Sequence, residues 1–397
     1  MLMCSMCLML FLILFSSGFY VYLMISQFLL EKPPARIFLP KSVKHSDNFF
    51  ELSKSRESMR MIIQDLHRLG EDRSSMNMTQ ELKEQVKKHM TSIREKLSGW
   101  LSRRSSAIWM KELNHNRYSI PDISTSNLQP PSRDYLCAVP LRTIANEDNL
   151  LPGLQLSKYL IQDSFLLTAW KRFKNRDTCA IASSSGALEG SNLGNEINSH
   201  DIVFRFNDAP TDGYEEDVGN KTSIRILNSQ VVSRKDFSIK NPLYSNSINL
   251  VWDPSNYTVD LPQWSSHPDH YFFSNFIESR LKEPEIPFFI IHPQFLWDLW
   301  DQIQSGFPKK IMRTPPSSGF IGLMLAMKLC AYVDFYEYVP SMRMSERCHY
   351  YDNSSGFGCT LGDWHPLAAE KLFALRLNRA SDREIAIKGK IRVTGCD

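Results

Sequence analysis

The chain has 397 residues and carries 46 Lys and Arg against 43 Asp and Glu, which leaves a formal net charge of only +3. This near-neutral balance gives no electrostatic reason to expect a nucleic-acid partner. With 43% hydrophobic, 11% aromatic and 22% charged residues, the composition is that of a folded protein and excludes a chain disordered throughout. At roughly 150 residues per domain, the length predicts two or three domains, or one large domain with an extension.

The N-terminal segment has the composition of a membrane span. No charged residue occurs before Glu31, and residues 8–30 are dominated by Leu, Ile, Phe, Val and Met. Because a helix needs about 20 apolar residues to cross a bilayer, we predict a short cytosolic end at 1–7 and a transmembrane signal anchor at 8–30. The alternative is a cleaved signal peptide, with small residues for cleavage at Ser16–Gly18. No Lys or Arg precedes the apolar run, so the orientation has to be inferred from the residues C-terminal to it.

Residues 31–131 differ in composition from the remainder, and we predict that they form a stem. They open with Pro33 and Pro34 and are rich in Ser, Lys, Arg and Glu. Within them, apolar residues recur at helical spacing and predict an amphipathic helix with a basic opposite face: Leu82, Val86, Met90, Ile93, Leu97 and Leu101. We favour a solvated helix within a spacer that holds the C-terminal part of the chain away from the bilayer. A helix that binds a membrane or a partner is the alternative.

The cysteines and the glycosylation sequons both bear on the compartment. Cys4 and Cys7 stand at the N-terminal end, and the others lie beyond position 136: Cys137, Cys179, Cys330, Cys348, Cys359 and Cys396. These distal cysteines contain no Cys-x-x-Cys pair, which favours disulfides over zinc, although their spacing does not choose a pairing. Sequons occur at Asn77, Asn220, Asn256 and Asn353, and we expect glycosylation at all but the structured Asn220. Both features favour an oxidising lumen, and a cytosolic enzyme with free thiols is the alternative.

From residue 132 to residue 397, short apolar runs alternate with amphipathic segments. The runs are predicted to be strands: 178–183, 201–206, 223–227, 248–252, 288–291 and 333–339. A helical stretch ending at Ile197 and an apolar helix over 319–329 are predicted between them. This alternation predicts one α/β domain with a mostly parallel sheet. Because ligands of such sheets bind beyond the carboxyl ends of the strands, the residues that come directly after the strands are candidates for a site.

Three of these strand ends carry groups that suit a polar ligand. Ser183–Gly186 joins a strand to a helix with small residues and free amides, which favours an anion, but it lacks the Gly-x-Gly-x-x-Gly spacing of a nicotinamide site. Asn207 and Asn228, with Gln230 nearby, offer amide groups suited to a base, a sugar hydroxyl or a carboxylate. The alternatives are a plain connecting turn and asparagines that bond to their own backbone.

Two later segments carry further chemistry. Ser317–Gly319 opens the apolar helix, where two hydroxyls and unpaired amides form either an anion pocket or an ordinary helix cap. His365 follows Trp364 and precedes a helical stretch that contains Lys371. A histidine is the usual general base for a hydroxyl nucleophile, although a lone histidine more often has no such role.

Taken in order, segments between Cys179 and Glu370 resemble the motifs of the animal sialyltransferases. The matching segments are Cys179–Gly186, Asp201–Asn207, Asp217–Thr222, Asn228–Gln230, Pro316–Cys330, His349–Asp352 and His365–Glu370. Intervening segments resemble those of β-galactoside α-2,6-sialyltransferases: Leu250–Ser255, His267–His270 and Pro293–Asp301. The resemblance covers residues 132–397. It implies a Rossmann-like fold (a GT-A variant) with a mostly parallel sheet flanked by helices in a single catalytic domain.

The resemblance implies inverting transfer of sialic acid from CMP-sialic acid to the 6-hydroxyl of terminal galactose on glycoprotein glycans. It implies a single-pass type II protein of the Golgi membrane with a lumenal catalytic domain, and it leaves open a homodimer and a form secreted after stem cleavage. No cofactor is expected, because CMP-sialic acid is a co-substrate. The chain also contains no Asp-x-Asp pair, with which glycosyltransferases commonly hold a nucleotide sugar through a divalent metal. We therefore expect no metal in the reaction. The alternatives are another linkage or acceptor (α-2,3 or N-acetylgalactosamine) and an inactive glycan-binding relative.

The resemblance also implies roles for individual residues. His365 is implied as the general base, and Asp269, Gln230 and Trp252 as acceptor contacts. The implied donor contacts are Ser184, Asn207, Asn228, Ser317, Ser318, Gly319, His349, Tyr350, Trp364 and Lys371. The implied disulfides are Cys137–Cys396, Cys179–Cys330 and Cys348–Cys359. The chain departs from the family pattern at His349 and Trp364, where we expect tyrosine, and at His270.

Overall fold

The computed structural model describes residues 80–103, 116–122, 132–141, 177–362 and 364–396, and all of them lie in one compact unit. The predicted cytosolic end (1–7), the predicted anchor (8–30) and the Asn77 sequon lie outside the described residues. Among the helices that are described, none combines the length and the hydropathy that a bilayer crossing requires.

A seven-stranded sheet forms the centre of the described structure, in the order β5-β4-β3-β2-β1-β6-β7. The strands are β1 (Thr178–Ala182), β2 (Ile202–Phe206), β3 (Ile224–Asn228), β4 (Ile248–Trp252), β5 (Phe288–Ile290), β6 (Tyr332–Tyr336) and β7 (Lys390–Thr394). Neighbouring strands are parallel except for β7, which runs antiparallel to β6. The predicted α/β class and mostly parallel sheet are therefore confirmed, and β7 is the strand that the apolar runs did not predict.

Helices flank the sheet, and their bounds agree with most of the predicted stretches. They are α1 (Gln80–Arg103), α2 (Arg133–Ala138), α3 (Gly194–Asn198), α4 (Glu215–Val218), α5 (Ser229–Val232), α6 (Pro242–Ser245), α7 (Leu261–Ser266), α8 (Phe273–Lys282), α9 (Pro293–Ser305), α10 (Ser318–Met327), α11 (Phe357–Leu361), α12 (Leu367–Leu377) and α13 (Asp382–Lys388). The stretch predicted to be helical up to Ile197 is instead a 3-10 turn, Gly186–Leu188, followed by α3. Helix α10 packs across β1, β2, β3 and β6, which explains why it is apolar on nearly every side.

The strand order reverses beside β1, and this reversal defines the expected ligand crevice. From β1 the chain builds outward through β2, β3 and β4 to β5, and then returns to place β6 on the other side of β1. Loops that leave neighbouring strands in opposite directions open a crevice at the carboxyl edge of the sheet. The turn after β1 and the segment after β6 lie at this point, where the Ser183 N–H donates to the Tyr336 carbonyl over 3.3 Å.

Helix α1 is present as predicted, but the solvated-spacer interpretation is wrong for it. Val86, Met90, Ile93 and Leu97 are at most 5% exposed and belong to the main hydrophobic core, where α1 packs against α12 and α13. The apolar stripe is therefore covered by the packed domain rather than by water. The packed structure begins well before the predicted boundary at residues 131 and 132.

A second short segment of the predicted stem, residues 116–122, also packs against the domain. Tyr118 and Ile120 are buried in the same core. The Tyr118 carbonyl accepts a hydrogen bond from the Tyr257 N–H over 2.7 Å, in the loop that comes after β4. Backbone pairing of this kind fixes the segment against the carboxyl edge of the sheet.

The six distal cysteines form the three disulfides that the family resemblance implied. Cys137–Cys396 joins the end of α2 to the residues after β7. Cys179–Cys330 joins β1 to the residues after α10, and Cys348–Cys359 closes a short loop with a sequence separation of 11. The disulfides therefore connect the sheet centre, the central helix and the C-terminal strand.

We expect the Met90→Ala variant to lower the free energy of unfolding by about 2–5 kcal/mol, because a fully buried side chain is replaced by a cavity. The adjacent Thr91 is exposed, so Thr91→Ala should stay within about 0.5 kcal/mol of the original chain. Urea unfolding of both variants measures the difference. Equal, small effects would contradict the packing of α1 against the domain.

Candidate active site

The turn after β1 is held against the segment that contains His349. The Ser184 carbonyl accepts a hydrogen bond from the Tyr350 N–H over 3.1 Å. A Cβ atom at Gly186 would lie 2.6 Å from the Cβ and from the carbonyl oxygen of Arg347, so only glycine fits this close approach. Two segments far apart in the sequence, each with predicted donor contacts, therefore meet at the carboxyl end of β1.

Asn207 and Asn228 lie together at the ends of β2 and β3. The backbone of Asn207 has a φ of 46°, and its side-chain oxygen accepts the N–H of Asn228 over 2.9 Å. The side-chain oxygen of Asn228 in turn caps α5 through the Val231 N–H at 3.0 Å. Within the described part of the chain, both side-chain NH₂ groups stay free to donate. Each asparagine thus has the backbone role that was the alternative in the sequence, and its NH₂ group remains available to a ligand.

The start of α10 is held by a buried carboxylate. The N–H and the hydroxyl of Ser317 both donate to Glu370, over 2.8 and 2.5 Å, and the Tyr338 hydroxyl donates to the same group over 2.7 Å. The Ser317 oxygen also accepts the Phe320 N–H and so caps the helix. Ser317 is therefore engaged within the protein, whereas the N–H groups of Ser318 and Gly319, at the start of the helix, have no partner within the helix.

Lys371 belongs to the same buried cluster. It is 6% exposed, and its ammonium lies 5.8 Å from the centre of the Tyr338 ring. Burial lowers the pKa of Lys371 to about 8, while the charges of Glu370 and Glu337 oppose this shift. The ammonium thus lies near the tyrosine ring whose hydroxyl donates to Glu370, the carboxylate that holds the start of α10.

His365 has a defined tautomer. Its Nδ1 lies 2.8 Å from the Pro315 carbonyl oxygen, and because a carbonyl can only accept, Nδ1 carries the hydrogen. The Nε2 lone pair of the neutral ring is then available to take a proton. The ring lies 6.2 Å from that of Trp252, whose indole N–H donates to the Ser318 hydroxyl over 2.9 Å. The end of β4, the start of α10 and a histidine in the form of a base therefore converge.

Asp269 is held by residues that the sequence assigned to the stem. Arg117 and the Tyr118 hydroxyl donate to its two carboxylate oxygens over 2.7 and 2.8 Å. No motif or spacing in the sequence indicated that Arg117 and Tyr118 contact Asp269, because they lie more than 150 residues from it along the chain. Beside Asp269 lies a cavity of about 280 Å³ whose lining includes Trp264 and the exposed sequon residue Asn256.

The remaining predicted site residues divide into internal and open positions. The Tyr350 hydroxyl donates to the Pro210 carbonyl, and burial raises the pKa of Tyr350 to about 12, so this ring supports the site from within. His349 is partly exposed and bonds to Asp352 over 2.7 Å. Trp364 is 81% exposed, and Gln230 is also exposed. Trp364 and Gln230 can thus contact a ligand without breaking a side-chain bond, whereas His349 already bonds to Asp352.

A comparison with protein families identifies the class to which the chain belongs. The sequence model of glycosyltransferase family 29 (sialyltransferase) matches residues 150–381, which is more than half of the chain, and the chain belongs to this family. A β-galactoside α-2,6-sialyltransferase 1 from Mus musculus is 39% identical over 303 residues, covering 74% of this chain and 73% of the relative. The fold and motif resemblance noted from the sequence is thus confirmed at family level.

Other relatives are longer than the matched region. A β-galactoside α-2,6-sialyltransferase 2 from Danio rerio is 40% identical over 302 residues, and the match covers 75% of this chain and 58% of that protein. For the Bos taurus protein of the same name, 47% identity extends over 44% of its length. The chain thus spans about half the length of these relatives. The crystal structure of a mammalian sialyltransferase is similar at 21% identity and a TM-score of 0.40, covering 68% of this chain and 90% of that one.

We expect the double variant Cys179→Ala/Cys330→Ala to weaken CMP binding as well as stability, because this disulfide ties β1 to the helix that begins beside Ser317. The matched control is Cys137→Ala/Cys396→Ala, which should lower stability by a similar amount, about 2–5 kcal/mol, without changing the affinity for CMP. Urea unfolding and calorimetric titration with CMP measure the two effects. The same loss of affinity in both variants would contradict the link between this disulfide and the donor site.

Proposed function

We propose that the chain transfers sialic acid from CMP-sialic acid to the 6-hydroxyl of terminal galactose on glycoprotein glycans, with inversion and without a metal. The observation that carries the proposal is the geometry of His365, whose Nδ1–H is held by the Pro315 carbonyl so that Nε2 is a base at the carboxyl edge of the sheet. The names of the relatives from Mus musculus and Danio rerio support the linkage and the galactoside acceptor.

The donor would lie between the turn at Ser184 and the start of α10. The NH₂ groups of Asn207 and Asn228 are available to its polar groups, and the first-turn amides with Ser318 and Gly319 face its phosphate. The partial positive charge of the helix start, together with the charge of Lys371 in the cluster around Tyr338 and Glu370, would stabilise the phosphate as it leaves. His349, Tyr350 and Trp364 would complete this region, two of them as open side chains and Tyr350 from within.

His365 would drive the chemical step from the acceptor side. As the acceptor oxygen bonds to the anomeric carbon, its proton passes to Nε2. The bond between that carbon and the phosphate oxygen breaks on the opposite face, and its electron pair leaves with CMP. The imidazolium that forms is stabilised because its Nδ1–H already points at the Pro315 carbonyl. In-line attack of this kind inverts the configuration.

The acceptor would be recognised around the loop that carries Asp269. This carboxylate is oriented by Arg117 and Tyr118, and together with Gln230 and Trp252 it offers polar and aromatic contacts suited to a galactose ring. His270, where the chain departs from the family pattern, is exposed next to this position. The adjacent cavity offers room for sugars beyond the galactose.

The setting of this reaction is also part of the proposal. The chain would be a single-pass type II protein of the Golgi membrane, with a cytosolic end at 1–7, an anchor at 8–30 and a lumenal domain. The three disulfides support an oxidising compartment, and the exposure of Asn256 and Asn353 is compatible with glycosylation there. The packed helix α1 shortens the stem that we infer, so that the tether precedes Gln80.

We expect His365→Ala to keep its affinity for CMP but to lose sialyl transfer by about 10²–10⁴-fold, the usual contribution of a general base. His89→Ala is the matched control, because His89 also bonds to a proline carbonyl, that of Pro340, but it lies on α1. Initial rates with N-acetyllactosamine and calorimetry with CMP measure both properties. Full turnover by His365→Ala would refute its role as the base.

The proposed activity is tested by incubating the lumenal domain with CMP-sialic acid and N-acetyllactosamine and by reading the linkage of the product. We expect α-2,6-sialylated galactose, and we expect the rate to stay within about twofold in EDTA, because the start of α10 and Lys371 stabilise the phosphate without a metal. An α-2,3-linked product would contradict the proposed linkage, and a preference for N-acetylgalactosamine would contradict the proposed acceptor. Absence of any transfer would refute the activity, and a strong loss in EDTA would refute the metal-free mechanism.

A further inference from the structure

The carboxylate of Asp253 is the centre of a buried hydrogen-bond network directly after β4. Asp253 is 0% exposed, and burial raises its pKa to about 6. It accepts hydrogen bonds from the Ser229 hydroxyl, from the Trp264 indole N–H over 2.8 Å, and from two backbone N–H groups, those of Asp269 at 3.0 Å and His270 at 3.3 Å. A side chain that is shielded from water in this way has its acceptor sites filled by the protein itself.

The four donors come from three separate parts of the candidate site. Ser229 stands between Asn228 and Gln230 at the end of β3, on the side assigned to the donor. Trp264 belongs to α7 and lines the cavity. The two N–H groups belong to the loop that presents Asp269. One carboxylate thus connects the end of β3 with the cavity wall and with the loop.

We infer that Asp253 is a positioning residue that holds the 267–270 loop, and with it Asp269, at the correct distance from the donor side. This inference rests on the proposed function, in which Asp269 contacts the galactose. Asp253 itself touches neither substrate, because its oxygens are occupied by the four internal donors. Its effect on the reaction passes through the backbone of Asp269.

The Asp253→Asn variant tests the inference with almost no change in shape. An amide has one oxygen instead of two. Its NH₂ group would face N–H groups from which it cannot accept a hydrogen bond, because both are donors. The loop therefore loses part of its attachment, while Asp269 keeps its bonds to Arg117 and Tyr118, which limits the damage to the fold. The bonds of Asn207 and Asn228 to the backbone are not altered.

We expect Asp253→Asn to raise the KM for N-acetyllactosamine about tenfold, which corresponds to the loss of one or two buried hydrogen bonds. The KM for CMP-sialic acid and the Kd for CMP should stay within about twofold, a split that general destabilisation would not produce. Asp301→Asn is the matched control. Burial also raises the pKa of Asp301 to about 6, but its partner is the Tyr257 hydroxyl, which can donate equally well to an amide oxygen.

A second variant keeps the test decisive if Asp253→Asn does not fold. Trp264→Phe removes only the indole N–H that donates to Asp253 and keeps an aromatic ring in the wall, so it should raise the acceptor KM by about threefold at an unchanged CMP Kd. An unchanged acceptor KM in the folded variants, with an active original chain, would overturn the role of Asp253 alone. An original chain that transfers no sialic acid would overturn the proposed function and this inference together.

Discussion

A buried carboxylate, that of Glu370, joins the two sides of the candidate site. It accepts hydrogen bonds from the backbone and hydroxyl of Ser317 and from Tyr338, and it has no exposed surface. Glu370 lies on α12, the helix that His365 precedes, whereas Ser317 caps α10. Because the Pro315 carbonyl that orients His365 lies just before Ser317, the same attachment positions both the start of α10 and the proposed base.

Some polar groups of the candidate site bond to the protein itself, and others remain available to a ligand. Ser317 and Tyr350 use their hydroxyl groups on internal partners, and Asn207 and Asn228 use their oxygens on the backbone. The groups left over are already oriented: two NH₂ groups, the first-turn amides of α10 and one histidine nitrogen. Preorganised groups of this kind stabilise charge in a transition state without having to reorganise as it forms.

Much of the fold is predictable from local patterns, because buried parallel strands are short apolar runs and their ends can be read directly. Strand β7 was not predicted because Lys390 and Arg392 interrupt its apolar residues, and the partners that neutralise these charges include the distant Asp334 and Glu196. The helical spacing of the apolar residues in α1 predicted its apolar face, but it did not predict which elements cover that face. The pair Arg117 and Tyr118 was missed for the same reason: its partner, Asp269, is distant in the chain. Disulfide pairing likewise depended on family resemblance rather than on spacing.

The packing of α1 also limits where a protease can release a soluble, intact enzyme. Val86 and Leu97 are part of the core, and the segment around Tyr118 supports Asp269. In the membrane-anchored arrangement proposed above, a cut after α1 would separate its apolar stripe from the domain or leave it held only by noncovalent contacts. Processing that preserves activity would then have its window before Gln80.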